Sequence, residues 1–344
     1  MKSHLRLSLV IAAIMAALFA ADRVLANLEH SEIQHEASTR YESGMRLLRQ
    51  GDKQAALATL QRAHVLVRDR REYALGLSEA LVANNMRDAA EARLRDILTD
   101  DSTDGRANLL LARLLASESK ADEATAFFHR AIYGAWHGNA ASEVWQVRME
   151  LARYLAKVQR PQELLSELLL LQDRAEKDPA LAREVAGLYL AAGSSTRAAQ
   201  MYRDLLRKTP NDAQGYRDLG EAELLQGDYR TAESMFLAAL RHNSADSTLA
   251  QRLRFANTLA TLDPTPRRLS SAEKYNRATR LLASIRCGDL PPETERRGPI
   301  TNELAEARLS LAEQLWEQRS QLCPGKPPTD EAAALIMRKL KETH

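Results

Sequence analysis

The chain has 344 residues, 45% hydrophobic but only 5% aromatic, and its 48 basic and 46 acidic residues nearly cancel. Ala, Leu, Arg and Glu dominate, a helix-forming composition with few of the β-branched and aromatic residues that build sheets. A charge balance this even gives no support for nucleic-acid binding as a main role.

The first segment reads MKSHLRLSLVIAAIMAALFAADRVLAN. Lys2 and Arg6 precede an apolar run from Leu7 to Ala21, and Val24, Leu25 and Ala26 suit cleavage after Ala26. This is the layout of a secretory signal peptide. The run is shorter than the roughly 20 residues that span a bilayer as a helix. Residues 1–26 are therefore expected to be a cleaved signal peptide or, as the second reading, an uncleaved N-terminal anchor. Membrane contact, if uncleaved, would pass through residues 7–21. Cleavage would remove three of the basic and one of the acidic residues, leaving 45 of each. The expected location is exported, periplasmic or extracytoplasmic; the alternative is the inner membrane, held by this segment. Residues 27–36 read as a short linker.

Next comes a recurring pattern of small, small, large and small residues. Gly44, Ala56, Leu60 and Ala63 set it. Ala112, Ala124, Phe128 and Ala131 repeat it, as do Gly220, Ala232, Phe236 and Ala239. Variants occur at Ser78, Ala90, Leu94 and Ile97, and at Ala186, Ala198, Tyr202 and Leu205. Gly44, Ser78 and Ala112 lie 34 residues apart, and so do Ala152, Ala186 and Gly220. The unit at 213–246 also carries Tyr216, Leu219, Gly227 and Tyr229, and Pro210 closes the unit before it. With this period and these positions the chain resembles the tetratricopeptide repeat family.

The resemblance implies an all-α fold, a right-handed α-solenoid of stacked helix-turn-helix units with a C-terminal helical cap. Two antiparallel helices cannot bury their apolar faces alone, so neighbouring units must stack. Small residues fit where helix axes approach most closely. Gly51, Gly193 and Gly227 fall where the first helix of a unit should end in a left-handed residue.

The solenoid is expected over 37–286, about seven units with an irregular last one. Between Ala112 and Ala152 the step is 40, which places an insertion near 134–144 containing Trp136, His137, Gly138 and Asn139. Trp136 and Trp145 either present a partner-binding loop or plug a wider gap between units. In the neighbouring unit Leu164, Leu168 and Leu171 replace the small–large–small pattern. Eight of the 11 prolines lie from Pro264 onward, which marks the end of the regular array. Residues 269–285 still read as a helix. Residues 287–344 read as a Pro-rich link with helices near 301–321 and 331–341, the former suited to cap the array. Cys287 and Cys323 form an even pair in loop-like contexts and, in an exported chain, are expected to be joined as a disulfide.

No motif points to a reaction. The chain lacks G-x-S-x-G, H-E-x-x-H, G-x-G-x-x-G and a P-loop, and its eight histidines are scattered. No enzymatic activity, cofactor or metal site is expected. What remains is binding. The resemblance implies that first helices line a groove whose inward side chains choose the ligand. The inward positions carry Arg106, Leu109 and Arg113, then Met149, Arg153 and Lys157. Further on they carry Arg183 and Leu190, then Arg217 and Leu224. The asparagines that the family uses to clamp a C-terminal carboxylate are absent. This row of Arg and Lys suggests an acidic or mixed acidic–apolar protein segment, unless Glu150, Glu184 and Asp218 neutralise it. The expected function is a non-enzymatic interaction scaffold of the cell envelope. The alternative is a membrane-anchored assembly factor or an accessory subunit of a secretion or polysaccharide apparatus. The partner is an unidentified protein or peptide.

Overall fold

A computed structural model of the chain describes residues 2–136, 140–175, 177–242, 245–285, 299–322 and 330–343. Among these residues there are sixteen α-helices and no strand, so the fold is an all-α array of helical hairpins. The chain divides into two compact units, residues 1–154 and 155–344.

The first unit holds α1 (Lys2–Gln50), α2 (Lys53–Leu66), α3 (Arg71–Ala83), α4 (Arg87–Asp100), α5 (Gly105–Ser117), α6 (Ala121–Ile132) and most of α7 (Ala140–Lys157). Residues 27–36, read above as a linker, are helical and continue α1 without a break. Among the described residues no helix is long and apolar enough to cross a membrane. Side chains from Ala21 to Glu32 are exposed, and packing begins at Ile33 and Ala37 against Val67 and Tyr73.

The small residues sit where helices cross. A side chain on Gly44 would meet Leu60 Cγ at 2.6 Å, and one on Gly76 would meet the Tyr41 ring at 2.7 Å. Ser78 and Ala112 are fully buried, and Ser78 satisfies its hydroxyl by donating to Ala74 O at 2.8 Å. Among the described residues, six hairpin turns carry a residue at positive φ. Three are the expected Gly51, Gly193 and Gly227; the others are Asn85, Ser119 and Gln159. The left-handed turn that ends a first helix is therefore kept even where glycine is missing.

The second unit runs from Leu155 through α8 (Pro161–Ala175), α9 (Pro179–Ala191), α10 (Ser195–Lys208), α11 (Ala213–Gln226), α12 (Tyr229–His242), α13 (Ser247–Leu262) and α14 (Ser271–Ile285) to α15 (Asn302–Leu322) and α16 (Glu331–Thr343). A side chain on Gly220 would meet Phe236 Cε1 at 2.8 Å. Leu164, Leu168 and Leu171 are fully buried, so bulkier residues fill the crossing where the small ones are missing. α15 packs on α14. The last helix is more than a tail: Ala332, Ala333, Ile336, Met337 and Leu340 join the core formed by Leu259, Leu281, Leu282 and Leu309. Cys287 and Cys323 lie outside the described residues, as do His137, Gly138 and Asn139.

Candidate interaction surface

The first helices of each unit are stitched to one another by ion pairs. In the first unit, Arg106 of α5 reaches back to α3, where its Nε and Nη2 donate to Glu79 Oε1 at 3.2 and 2.6 Å. Arg113, two turns further along α5, reaches forward to α7. Its Nε and Nη2 donate to the two oxygens of Glu150, both at 2.7 Å. In the second unit, Arg252 of α13 makes a two-point pair with Glu221 of α11.

A second device uses the helix starts. Asp104 caps α5 by accepting from Ala107 N at 2.9 Å, and Asp212 caps α11 by accepting from Gly215 N at 3.0 Å. Each capping carboxylate also takes an arginine from the first helix of the preceding hairpin. Arg71 Nε lies 3.0 Å from Asp104 Oδ2, and Arg183 pairs with Asp212 Oδ2. Aspartate is a preferred N-cap because its oxygen satisfies an otherwise unpaired N–H. It also brings negative charge to the positive end of the helix, where the arginine then balances it.

These contacts decide what the row of basic residues is. Arg106, Arg113 and Arg183 are not free cations; each is paired with an acid of an adjacent hairpin. Arg183 also approaches Asp218 at 3.5 Å. Burial pushes the Asp218 carboxyl up, while Gln214, Arg183 and Arg217 pull it back. Burial likewise raises Tyr202 beside it. Two of the three acids weighed above therefore meet the row: Glu150 pairs with Arg113, and Asp218 lies beside Arg183. Arg153 is exposed and engaged in a contact of its own, and Lys157 is exposed on the last turn of α7. Of the apolar positions, Leu109 and Met149 are buried, at 7% and 1% exposure, and act as core. Leu190 is half-buried. Leu224 packs against the cluster that contains α16.

The first unit nevertheless presents an open pocket of about 570 Å³. Leu75, Glu79, Arg106, Leu109, Arg113 and Trp136 are among its lining residues. Trp136 reaches it because the insertion is clamped to the turn before α5. Gly105 N donates to Ala135 O at 2.9 Å, and Ala135 N donates to Thr103 O at 2.6 Å. The indole N–H donates to Ala131 O at 2.8 Å, and the ring lies on Gly105, where a methyl group would clash with it. Trp136 thus fills space beside α5 and offers an edge to the pocket. Arg106 and Arg113 keep 41% and 50% of their side-chain surface exposed, and a guanidinium has five donors. Donors therefore remain for a ligand carboxylate.

Neither capping aspartate stood out in the sequence as an arginine receptor. Their partners lie about one repeat away, at positions that the pattern leaves variable. Among the described residues no group of three or more His, Cys, Asp or Glu is placed to hold a metal ion.

No family model matches the sequence, and the search of curated proteins returned no significant match. Solved structures do align. One is the C-terminal part of a TPR repeat-containing protein from Cytophaga hutchinsonii, 10% identical, covering 86% of this chain and 98% of that one with a TM-score of 0.47. Another is a tetratricopeptide repeat protein from Parabacteroides merdae, 11% identical, covering 88% and 99% with a TM-score of 0.44. A third is PilF of Pseudomonas aeruginosa, 16% identical, covering 67% and 99% with a TM-score of 0.46. The chain's own geometry carries the assignment: 34-residue spacing, close crossings at the small residues and left-handed turns together make this the tetratricopeptide repeat fold.

Proposed function

We propose that the protein is a non-enzymatic interaction scaffold that holds a protein or peptide segment against the first helices of its N-terminal unit. The observation that carries this reading is the open pocket along α3 and α5, where Arg106 and Arg113 stand beside Leu75, Leu109 and Trp136. Both arginines are already oriented by Glu79 and Glu150, so little side-chain entropy is lost when their remaining donors engage a carboxylate. The segment that fits is mixed acidic–apolar rather than uniformly acidic. Glu72, Glu79 and Glu143 also line the pocket and would repel a run of negative charge.

The cell envelope is the proposed setting, with residues 1–26 as export signal. An inner-membrane assembly factor, or an accessory subunit of a secretion or polysaccharide apparatus, is the alternative. N-terminal sequencing separates the two: Asn27 as first residue supports export, and Met1 supports the anchor. Export also favours the proposed Cys287–Cys323 disulfide, which mass spectrometry of the non-reduced protein would find as a linked peptide pair. Two free thiols would refute that pairing.

The binding test is capture from envelope fractions by the wild-type chain and by Arg106→Glu with Arg113→Glu. A partner retained by the wild type and lost by the double reversal, with unchanged circular dichroism, supports the pocket. Equal retention by both removes it.

A further inference from the structure

Three features converge on one point of the second unit. Gly227 ends α11 in a left-handed turn, with φ at 77°, and Asp263 ends α13. Tyr229 opens α12, 4% exposed. Into this corner comes the ammonium of Lys339 from α16. Its Nζ donates to Gly227 O at 2.8 Å and to Asp263 Oδ2 at 2.7 Å, and it stands 4.9 Å from the centre of the Tyr229 ring. The C-terminal ends of two helices both present partial negative charge here. Asp263, 3% exposed, adds a full charge and is held in place by accepting from Thr265 N at 2.9 Å. The aromatic face adds a third attraction for a cation. The lysine stem passes over Gly227, where a side chain would meet Lys339 Cδ at 2.8 Å. Glycine there serves the turn and the lysine together.

The helix that delivers this lysine has the form of a bound ligand. α16 carries its own N-cap, Asp330, whose Oδ1 accepts from Ala332 N at 2.9 Å. Its 13 residues are too few to be stable alone in water. Two alanines, then Ile336 and Met337, then Lys339 and Leu340, face α13 and α14, with Leu224 and Phe255 beside them. An amphipathic helix laid against a groove, anchored at i, i+4 and i+7 or i+8, is a recurring mode of recognition.

We infer that this face of the second unit, with the ammonium socket of Gly227 O, Asp263 and Tyr229, is a receptor for a lysine-bearing amphipathic helix of a partner protein, and that α16 occupies it in cis until displaced. The chemistry of the partner helix is read from the occupant: small residues in the first turn, an apolar pair four residues on, and a lysine three residues after the first of that pair. This face belongs to the second unit and is independent of the pocket beside α5.

The test uses the full-length chain and a fluorescent synthetic peptide of residues 329–344. Wild type should bind the peptide weakly, because its own helix competes. Full-length Ile336→Asp, whose helix no longer docks, should bind at least about tenfold more tightly. A peptide with methionine in place of the lysine should bind that variant about tenfold more weakly, since a charge-assisted contact is lost. Adding Asp263→Asn to the protein should erase the difference between the two peptides. No gain on eviction, or equal binding of the lysine and methionine peptides, overturns the inference. Native-state hydrogen exchange on the unaltered chain gives a check that needs no variant. Amides of α16 should open well before those of α13 and α14, and α16 protected as strongly as α13 would also overturn it.

Discussion

Arg113 and Glu150 stand 37 residues apart in the chain and meet in a two-point ion pair that joins α5 to α7. The pair shows why charges on a repeat surface cannot be read one hairpin at a time: the acids that pair with Arg106, Arg113 and Arg183 all belong to neighbouring hairpins. Both side chains are partly exposed, at 50% and 31%, so the pair should contribute less than about 1 kcal/mol. Arg113→Glu alone should lower stability in urea by about that amount through like-charge repulsion. The swap Arg113→Glu with Glu150→Arg should recover most of it. A swap as destabilised as the single reversal would show that the pairing does not matter.

Ala232 is fully buried against Phe236, beside Gly220. Ala232→Leu must push helices apart that are held at close range, and should cost roughly 1–3 kcal/mol. The melting transition of the second unit should move down accordingly. An unchanged transition would mean that this crossing has room to spare.

His64 on α2 is held below its ordinary value of 6.5, by burial first and then by Arg93 and Arg68. Arg93 Nη1 lies 2.9 Å from its Nε2, which accepts from the guanidinium when the ring is neutral. As the pH falls through about 6.5 the unfolded chain takes up this proton before the folded one does. The unfolded state then binds more protons, so stability falls with falling pH in the window below about 6.5. Replacing the ring by His64→Gln should flatten that part of the profile. Identical slopes for wild type and variant between about pH 7 and pH 5.5 would contradict the assignment.

Gln159 sits at φ 58° in the turn before α8, where equivalent turns use Gly51, Gly193 and Gly227. A left-handed residue with a side chain is strained by about 1–2 kcal/mol. Gln159→Gly should relieve this, minus the extra freedom of glycine in the unfolded chain, for a net gain of about 0.5–1 kcal/mol. Asn85→Gly should gain less, because asparagine tolerates this conformation. A loss at Gln159 in a urea titration would show that the side chain has a role beyond the turn.

Much of this architecture was legible in the sequence, because close helix crossings admit few residue types. Gly44, Ser78, Ala112 and Gly220 mark their places by size alone, and Gly227 marks its turn by conformation. The binding surface was less legible. Arg106 looks the same in sequence whether it awaits a ligand or pairs with Glu79, since their separation of 27 residues follows no fixed rule. Lys339 is more hidden still. Its socket is assembled from the ends of α11 and α13, separated from it by 112 and 76 residues, and neither Gly227 nor Asp263 carries a motif for ammonium binding.

The unbroken course of α1 has a mechanical consequence. From Ala21 to Glu32 the helix is exposed on all sides for roughly 18 Å at 1.5 Å per residue, and the same backbone then becomes the first helix of the first hairpin. A flexible tether would fix only the distance between an attachment point and the repeats. A continuous helix transmits direction and rotation as well. Whatever grips the chain upstream of Ile33 therefore sets which way the α3–α5 pocket faces, and a two-residue insertion in the exposed stretch would turn that pocket by about 200° about the helix axis.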